Sequence, residues 1–160
     1  MSHTPPTWMP RDRWDALVRG DDCPLCRDCR THEQTNTHGY TIIDLQISRL
    51  RLAKNQFVPG YCILICTHHV PEPYHLPRDE QVRFFDDLMR AAQALEAVFT
   101  PIKMNFQLLG NLVPHLHAHL VPRYYDDPAP GRPIDPGAEV VTLTPEGYSE
   151  RVRLIQAALE

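Results

Sequence analysis

Apolar and polar residues alternate with a period of two in several short segments of the chain, which is the pattern of a β-strand with one buried face. β-Branched residues within 40–52 predict one or two antiparallel strands, and the apolar run at 61–66 predicts a strand that is buried on both faces. Two further strands are predicted at 102–109 and 114–123, and the short glycine-containing connection between them makes them antiparallel neighbours. Residues 139–143 predict a short edge strand.

Helical spacing of apolar residues predicts three helices, of which the first is short and covers residues 11–19. The longest helix begins after Pro77 and ends before Pro101. Its apolar stripe consists of Val82, Phe85, Leu88, Met89, Ala92, Leu95 and Phe99. Thr144 is the predicted N-cap of a C-terminal helix at 144–160. These elements predict an α+β fold, in which an antiparallel sheet of about five strands is flanked by the long helix and the C-terminal helix.

The length and composition of the chain fit one globular domain with its own core, since the 160 residues are 42% hydrophobic and 22% charged. We expect a single domain over residues 1–160, with an N-terminal extension at 1–20 and a proline-rich loop at 126–137. The loop contains four prolines and two glycines, so no regular element is expected there. It could complete a nearby site or be a surface excursion without a role.

The charge balance argues against a nucleic acid polymer as partner, because a net charge of -4 gives no basic surface for phosphate backbones. No apolar run is long enough to span a bilayer, and the first residues do not resemble a secretion signal. We therefore expect a cytoplasmic protein that does not interact with membranes. An odd number of cysteines, five, then indicates thiols or metal ligands rather than a disulfide framework.

The most informative motif has three histidines at alternate positions, His115, His117 and His119. On a strand, alternate side chains point to one face and lie roughly 6.5 to 7 Å apart, so a phosphate-sized group could contact two of them. A neutral imidazole is a good nucleophile near pH 7 and can form a covalent phosphoramidate by attack on phosphorus. The motif therefore indicates chemistry on a phosphate group. The alternative interpretation is that the three histidines are a solvated strand face without a catalytic role.

A second motif, Cys23-Pro-Leu-Cys26, has the spacing of two metal ligands. Two thiolates need two further ligands to complete a tetrahedral zinc site, and histidine nitrogen is the usual complement. Cys29 and His32 could complete a purely local site. Alternatively, the cysteines are free thiols and no metal binds.

The sequence His-Leu-His-Ala-His followed by two apolar residues resembles the histidine triad (HIT) family of nucleotide hydrolases and transferases. The similarity covers roughly residues 20–127 and includes Pro59-Gly60-Tyr61, Leu109-Gly110-Asn111 and Pro122-Arg123-Tyr124. The resemblance implies that His117 attacks the α-phosphorus of a nucleotide to give a nucleotidyl-histidine. It also implies that His119 hydrogen-bonds the phosphoryl or leaving group, and that the substrate lies near Asn105, Gly110 and Asn111.

The resemblance to a zinc-bearing branch of the family implies a structural zinc site made of Cys23, Cys26, His69 and His115. His68 is the alternative to His69 at the third position. Four protein ligands leave no open coordination position, so the ion would hold the N-terminal segment beneath the catalytic strand. The resemblance further implies a HIT-like fold and a homodimer.

Three departures from the family pattern affect the substrate more than the reaction. Leu112 stands where a Ser or Thr is common, Ala53 where an acidic residue often binds the ribose, and Asn111 where a Gln is usual. Dinucleoside polyphosphates, such as diadenosine tetraphosphate, and nucleoside phosphoramidates are the substrate classes that the family implies. Hydrolysis, transfer and phosphorolysis all remain open. The alternatives are a nucleotide-binding protein with little catalysis, and a hydrolase in which the three histidines hold a metal-bound hydroxide.

Overall fold

The computed structural model describes residues 8–31, 33–133 and 139–160. Its helices are α1 (Arg11–Val18), α2 (Pro24–Arg30), α3 (Arg78–Phe99) and α4 (Pro145–Leu159). Its strands are β1 (Thr35–Asn36), β2 (Gly39–Asp44), β3 (Ser48–Leu52), β4 (Cys62–Cys66), β5 (Lys103–Gln107) and β6 (His117–Arg123). A short 3₁₀ helix, Pro73–His75, precedes α3.

The strands of the described residues form one antiparallel sheet in the order β1-β2-β3-β4-β6-β5. This confirms the predicted α+β architecture with a long helix and a C-terminal helix. The sheet has six strands rather than about five, because the two-residue strand β1 pairs with β2. The predicted pairing of the histidine strand with the strand before it is also confirmed, since β5 and β6 are neighbours.

The edge strand predicted at 139–143 is wrong, because this segment forms no regular structure. Its backbone is instead held by the loop that follows β3. The backbone N–H of Gln56 donates to the carbonyl of Val141 over 2.8 Å, and the side chain of Asn55 accepts from the N–H of Val141 over 2.9 Å. These local hydrogen bonds use the groups that would otherwise pair with a strand.

One face of the sheet is covered by α3 and α4, and Leu50, Leu64 and Leu120 lie at the centre of this core. The predicted cap of α4 is confirmed, because the hydroxyl of Thr144 accepts a hydrogen bond from the N–H of Gly147 over 3.2 Å. A buried helix face of this kind fixes the position of the sheet beneath it. The opposite face of the sheet is not covered by these two helices.

The apolar stripe predicted for α3 is partly wrong, because the helix has two apolar rows. Phe84, Leu88, Ala91 and Leu95 are among the buried residues that face the core. In contrast, Val82, Phe85 and Met89 are 46%, 41% and 44% exposed. Although α3 has 22 residues, neither it nor any other helix of the described residues is long and apolar enough to cross a membrane.

A buried ionic network attaches the short helix α2 to the sheet. The carboxylate of Asp28 accepts from the guanidinium of Arg51 over 2.8 Å, and the backbone carbonyl of Asp28 accepts from Arg49 over 2.6 Å. Arg49 also pairs with the carboxylate of Asp44 over 2.6 Å. Buried charges are tolerated only when they are paired in this way. The network therefore fixes α2, and with it Cys23 and Cys26, against β3.

Candidate active site and metal-binding cluster

The histidine strand β6 lies between β4 and β5, so its side chains have neighbours on both sides. His117 is opposite Ile65 of β4, and His119 is opposite Ile63 of β4 and Gln107 of β5. Side chains of directly opposed residues share one face of a sheet. His117 and His119 therefore project from the face that α3 and α4 leave uncovered, with ring centres 5.0 Å apart.

The prediction that all three histidines belong to one strand is partly wrong, because β6 begins at His117. His115 precedes the strand, has no exposed surface and is directed towards the cysteines. Its Nε2 donates to the carbonyl of Cys66 over 2.7 Å, which leaves Nδ1 free of a proton on the side of the cysteines. His115 therefore differs in its surroundings from the other two histidines.

His117 is held in one tautomer by the backbone. Its Nδ1 donates to the carbonyl oxygen of His115 over 2.6 Å, so the lone pair of the neutral ring is on Nε2. Burial is the main cause that lowers the pKa of His117 below its ordinary value. A neutral imidazole with a defined lone pair is what a nucleophile requires.

His119 lies against Tyr61, whose ring is stacked on the imidazole at a centroid distance of 5.9 Å and an interplanar angle of 20°. The hydroxyl of Tyr61 is 2.6 Å from Nδ1 of His119. Burial lowers the pKa of His119 to about 4, with a smaller contribution from His117. Burial also raises the pKa of Tyr61. Both groups are therefore neutral at physiological pH.

A cavity of about 240 Å³ opens in front of the two histidines. It is lined by Leu25, His38, Ile63, His117, His119 and the loop residues from Leu109 to Val113. Among these residues there is no lysine or arginine, so a phosphate group here would meet imidazoles and backbone N–H groups. This agrees with the acidic net charge of the chain, which leaves anion binding to local groups.

The candidate substrate residues do not all reach this cavity. Gly110 and Asn111 line it, and Gly110 has a left-handed backbone with φ of +62°, which a residue with a Cβ rarely adopts. The indole of Trp8 donates to the carbonyl of Asn111 over 2.5 Å and so supports this loop. Asn105 is not among the lining residues, because its side-chain oxygen accepts from Arg123 over 2.5 Å.

Close to the start of the histidine strand, Cys23, Cys26, His69 and His115 form one cluster whose potential ligand atoms all lie within 4.8 Å of one another. Nδ1 of His69 is 3.2 Å from Sγ of Cys26 and 3.2 Å from Nδ1 of His115. Nδ1 of His115 is 3.5 Å from both sulfurs. Bonds of the length found in zinc sites place tetrahedral ligands roughly 3.3 to 3.8 Å apart, so the four side chains fit such an ion.

The structure distinguishes His69 from the alternative ligands. His68 is turned away and lies 2.7 Å from the carboxylate of Glu80. Cys29 is also outside the cluster, and its thiol contacts the carbonyl of Cys66 over 3.5 Å. His32 lies outside the described residues. Nε2 of His69 donates to the carbonyl of Val18 over 3.0 Å, so the cluster is also linked to the end of α1.

Four residues near the site were not recognised from the sequence: Leu25, His38, Tyr61 and Gln107. Leu25 and His38 line the cavity, and Tyr61 contacts His119. Nε2 of Gln107 is the single buried side-chain nitrogen or oxygen of the described residues that has no hydrogen-bond partner. Strand pairing brings Tyr61 and Gln107 to the histidines, and the packing of α2 and of the β1–β2 turn brings Leu25 and His38, so no local pattern in the sequence indicates these contacts.

Comparison with solved structures supports the fold. A histidine triad protein from Marinobacter aquaeolei VT8 is 27% identical with a TM-score of 0.72, and the match covers 81% of this chain and 95% of that one. A histidine triad protein from Sinorhizobium meliloti 1021 is 23% identical with a TM-score of 0.70, covering 76% and 90% of the two chains. A Zn-bound histidine triad family protein from Mycobacterium smegmatis is 21% identical with a TM-score of 0.52, covering 92% and 91%.

The antiparallel fold and the paired histidines of β6 define a histidine triad protein. The family model for the HIT domain matches residues 34–126. The chain therefore belongs to the HIT family, which is part of a superfamily of nucleotide hydrolases and transferases. No match was found among curated proteins. The family assignment agrees with the resemblance seen in the sequence.

Proposed function

We propose that the protein is a nucleotide hydrolase or transferase that acts at the α-phosphate of a nucleoside phosphoramidate or a dinucleoside polyphosphate. The observation that carries this proposal is the geometry of His117, whose Nδ1–H is bound to the carbonyl of His115. This hydrogen bond directs the reactive lone pair of Nε2 away from the backbone. His117 also lines the cavity that contains Gly110 and Asn111.

The proposed reaction has two steps. Nε2 of His117 attacks the α-phosphorus, a P–N bond forms, and the bond to the leaving group breaks with its electron pair on the leaving group. The hydrogen bond from Nδ1 to the carbonyl of His115 stabilises the ring as it gains positive character. Water or another acceptor then attacks phosphorus and loses its proton to solvent, and the P–N bond breaks with its electron pair returning to Nε2 of His117; attack by water releases a nucleoside monophosphate. His119 and the backbone of Gly110 and Asn111 are the proposed partners of the phosphoryl oxygens.

We propose that the cluster of two cysteines and two histidines binds a structural zinc ion. The histidine triad protein from Mycobacterium smegmatis is a zinc-bound relative, and the ligand atoms of this chain have compatible spacing. When bound, zinc would cross-link the N-terminal segment to the sheet. With four protein ligands it would have no open coordination position for a substrate or water. This assignment disfavours a metal-bound hydroxide on all three histidines, because Nδ1 of His115 faces the cysteines and its Nε2 donates to the carbonyl of Cys66, so neither nitrogen is directed to an ion shared with His117 and His119.

The second candidate function is nucleotide binding with little catalysis. Leu112 offers no hydroxyl to a leaving group and is 73% exposed. Ala53 is packed against Val58, Tyr61 and Val121, and so provides no carboxylate for a ribose. This candidate predicts saturable binding of AMP together with no release of product from any nucleotide tested.

The decisive experiment measures the intact mass of the protein. The protein is mixed with adenosine phosphoramidates or diadenosine polyphosphates and quenched at alkaline pH within seconds. An adduct of one AMP that requires His117 would support the proposed intermediate. Release of AMP without an adduct requires single-turnover measurements and metal chelation to separate a short-lived intermediate from a metal-bound hydroxide. Neither adduct nor AMP would favour the binding protein.

The pH dependence of kcat/KM tests the electrostatics of the site. His117 must be neutral to attack, and burial lowers its pKa below the ordinary value of 6.5. Activity should therefore be level across neutral pH and should fall only when acid protonates the ring below 6.5. An acid limb with its midpoint above that value would contradict the description of His117 as a buried, neutral nucleophile.

We also propose that the protein is a homodimer. The exposed apolar row of α3, Val82, Phe85 and Met89, lies on the covered side of the sheet. Phe106 of the edge strand β5 is opposite Leu120 and therefore faces the same side, where it is 38% exposed. An apolar helix row beside a sheet edge is a common surface for association with a second copy.

Replacing Phe85 with glutamate is expected to weaken this dimer by at least about tenfold in its dissociation constant, because a charge would be buried at the interface. Light scattering after size-exclusion chromatography at several concentrations measures the mass. Ala97→Glu adds the same charge at an exposed position of α3 that lies about 120° around the helix from Phe85, and it serves as the control. A wild-type protein that is monomeric at all concentrations, or an F85E variant that dimerises normally, would contradict the proposed interface.

A further inference from the structure

Tyr61 is the only hydrogen-bonding partner of the imidazole of His119 among the described residues. It comes immediately before β4, and its ring lies over His119 with an interplanar angle of 20°. Only 6% of Tyr61 is exposed, so water cannot replace the contact freely. Its hydroxyl is 2.6 Å from Nδ1 of His119, which is a short and well-formed hydrogen bond.

The direction of this hydrogen bond follows from the environment of the hydroxyl. A buried hydroxyl proton needs an acceptor, and Nδ1 of His119 is the acceptor that the described residues provide. Burial raises the pKa of Tyr61, so the hydroxyl keeps its proton. A neutral imidazole that accepts at Nδ1 must carry its own proton on Nε2.

We propose that Tyr61 is a positioning residue that fixes the tautomer of His119, so that Nε2–H is a permanent hydrogen-bond donor towards the reacting phosphate. For its catalytic consequence this inference rests on the proposed function. The backbone carbonyl of His115 gives His117 the opposite tautomer, with a proton on Nδ1. The two neighbouring rings are thereby set in opposite states: His117 presents a lone pair, and His119 presents a donor.

The donor role of His119 is a hydrogen bond and involves no transfer of its proton. Loss of the Nε2 proton would leave an imidazolate or, after a proton shift, a buried tyrosinate, and burial opposes both anions. A neutral donor suits the increasing negative charge on a phosphoryl oxygen or leaving atom, because the lining residues of the cavity include no lysine or arginine. Removing the hydroxyl of Tyr61 should therefore reduce the stabilisation of the transition state more than the binding of the substrate in the ground state.

Tyr61→Phe tests this role, with Tyr124→Phe as the matched control. The Tyr124 hydroxyl donates to the carbonyl of Pro59 over 2.8 Å and does not contact either histidine. We expect Y61F to lower kcat by about tenfold and to change KM by less than about threefold, since partners that orient a functional imidazole are worth roughly ten- to a hundredfold. Y124F should keep the wild-type kcat. Equal kcat values for Y61F and the wild type would overturn the proposal.

A spectroscopic measurement on the ligand-free protein tests the tautomer independently of turnover. Nitrogen-15 chemical shifts should show His119 of the wild type protonated at Nε2 and bare at Nδ1, and Y61F should give a mixture of the two neutral tautomers. Protonation at Nδ1 in the wild type, or an unchanged tautomer in Y61F, would overturn the inference. If the wild type turns over no nucleotide, the proposed function fails, whereas the tautomer measurement still decides the role of Tyr61.

Discussion

Replacing His117 with alanine is expected to abolish turnover, with a loss of kcat of about 10⁴- to 10⁶-fold, which is typical when a covalent nucleophile is removed. Among the residues that line the cavity, His117 is the one whose ring is oriented by a backbone carbonyl, so we expect no other group to replace it as the nucleophile. Nucleotide affinity should change little, because the other lining residues, including the loop from Leu109 to Val113, are unaltered. Rapid-quench turnover, AMP binding and the intact-mass assay measure the three quantities.

The control for this experiment is His75→Ala, which removes an exposed histidine that packs edge-on against Tyr74 and lies outside the cavity. It should retain full turnover and the AMP adduct. If H117A formed the adduct or kept more than about 1% of the wild-type kcat, a covalent mechanism at His117 would be wrong. Loss of AMP binding along with turnover would instead indicate that the variant had lost its folded cavity, which circular dichroism would reveal.

Loss of the metal-binding cluster is the second large effect that we expect. Cys23→Ser should lower the zinc content from about one ion per chain to none and reduce the free energy of unfolding by at least about 3 kcal/mol, which is roughly 10 °C in Tm for a chain of this length. The reason is that a bound ion would cross-link three segments that are far apart in the sequence. These segments contain Cys23 and Cys26, His69, and His115. Thermal unfolding and elemental analysis measure both quantities.

Cys29→Ser is the matched control, because Cys29 lies on the same helix, α2, and is not part of the cluster. Its zinc content should equal that of the wild type. Zinc loss in C29S, equal to that in C23S, would instead establish a local site that includes Cys29. Chelation distinguishes the metal's role: a structural ion predicts a lower Tm while freshly treated, folded protein keeps its kcat at saturating nucleotide, whereas a catalytic ion predicts immediate loss of kcat.

Features of the fold that depend on local sequence were predictable. The N-cap at Thr144 and the pairing of β5 with β6 follow from a capping residue and a short connection. The triad itself identified His117 as the candidate nucleophile. The HIT family assignment then follows from the sequence motif and is supported independently by the fold.

Features that depend on the packing of distant segments were not predictable. Periodicity detected the apolar residues of α3 but could not show that Val82, Phe85 and Met89 face away from the core. The change in direction at His115 and the contact between Tyr61 and His119 arise only when β4 and β6 pair. Residues 139–143 have strand-like composition, yet the loop around Asn55 holds their backbone.

The side chain between the two cysteines of the cluster links two parts of the protein. Leu25 packs against Ile65 and also lines the cavity in front of the histidines. An ion bound by Cys23 and Cys26 would therefore hold one wall of the nucleotide cavity in place. Thermodynamic linkage makes such an effect mutual: the factor by which the ion tightens nucleotide binding equals the factor by which the nucleotide tightens ion binding. Metal supply would then change the affinity of the cavity for nucleotide, and Leu25 is one of the contacts that link the two sites.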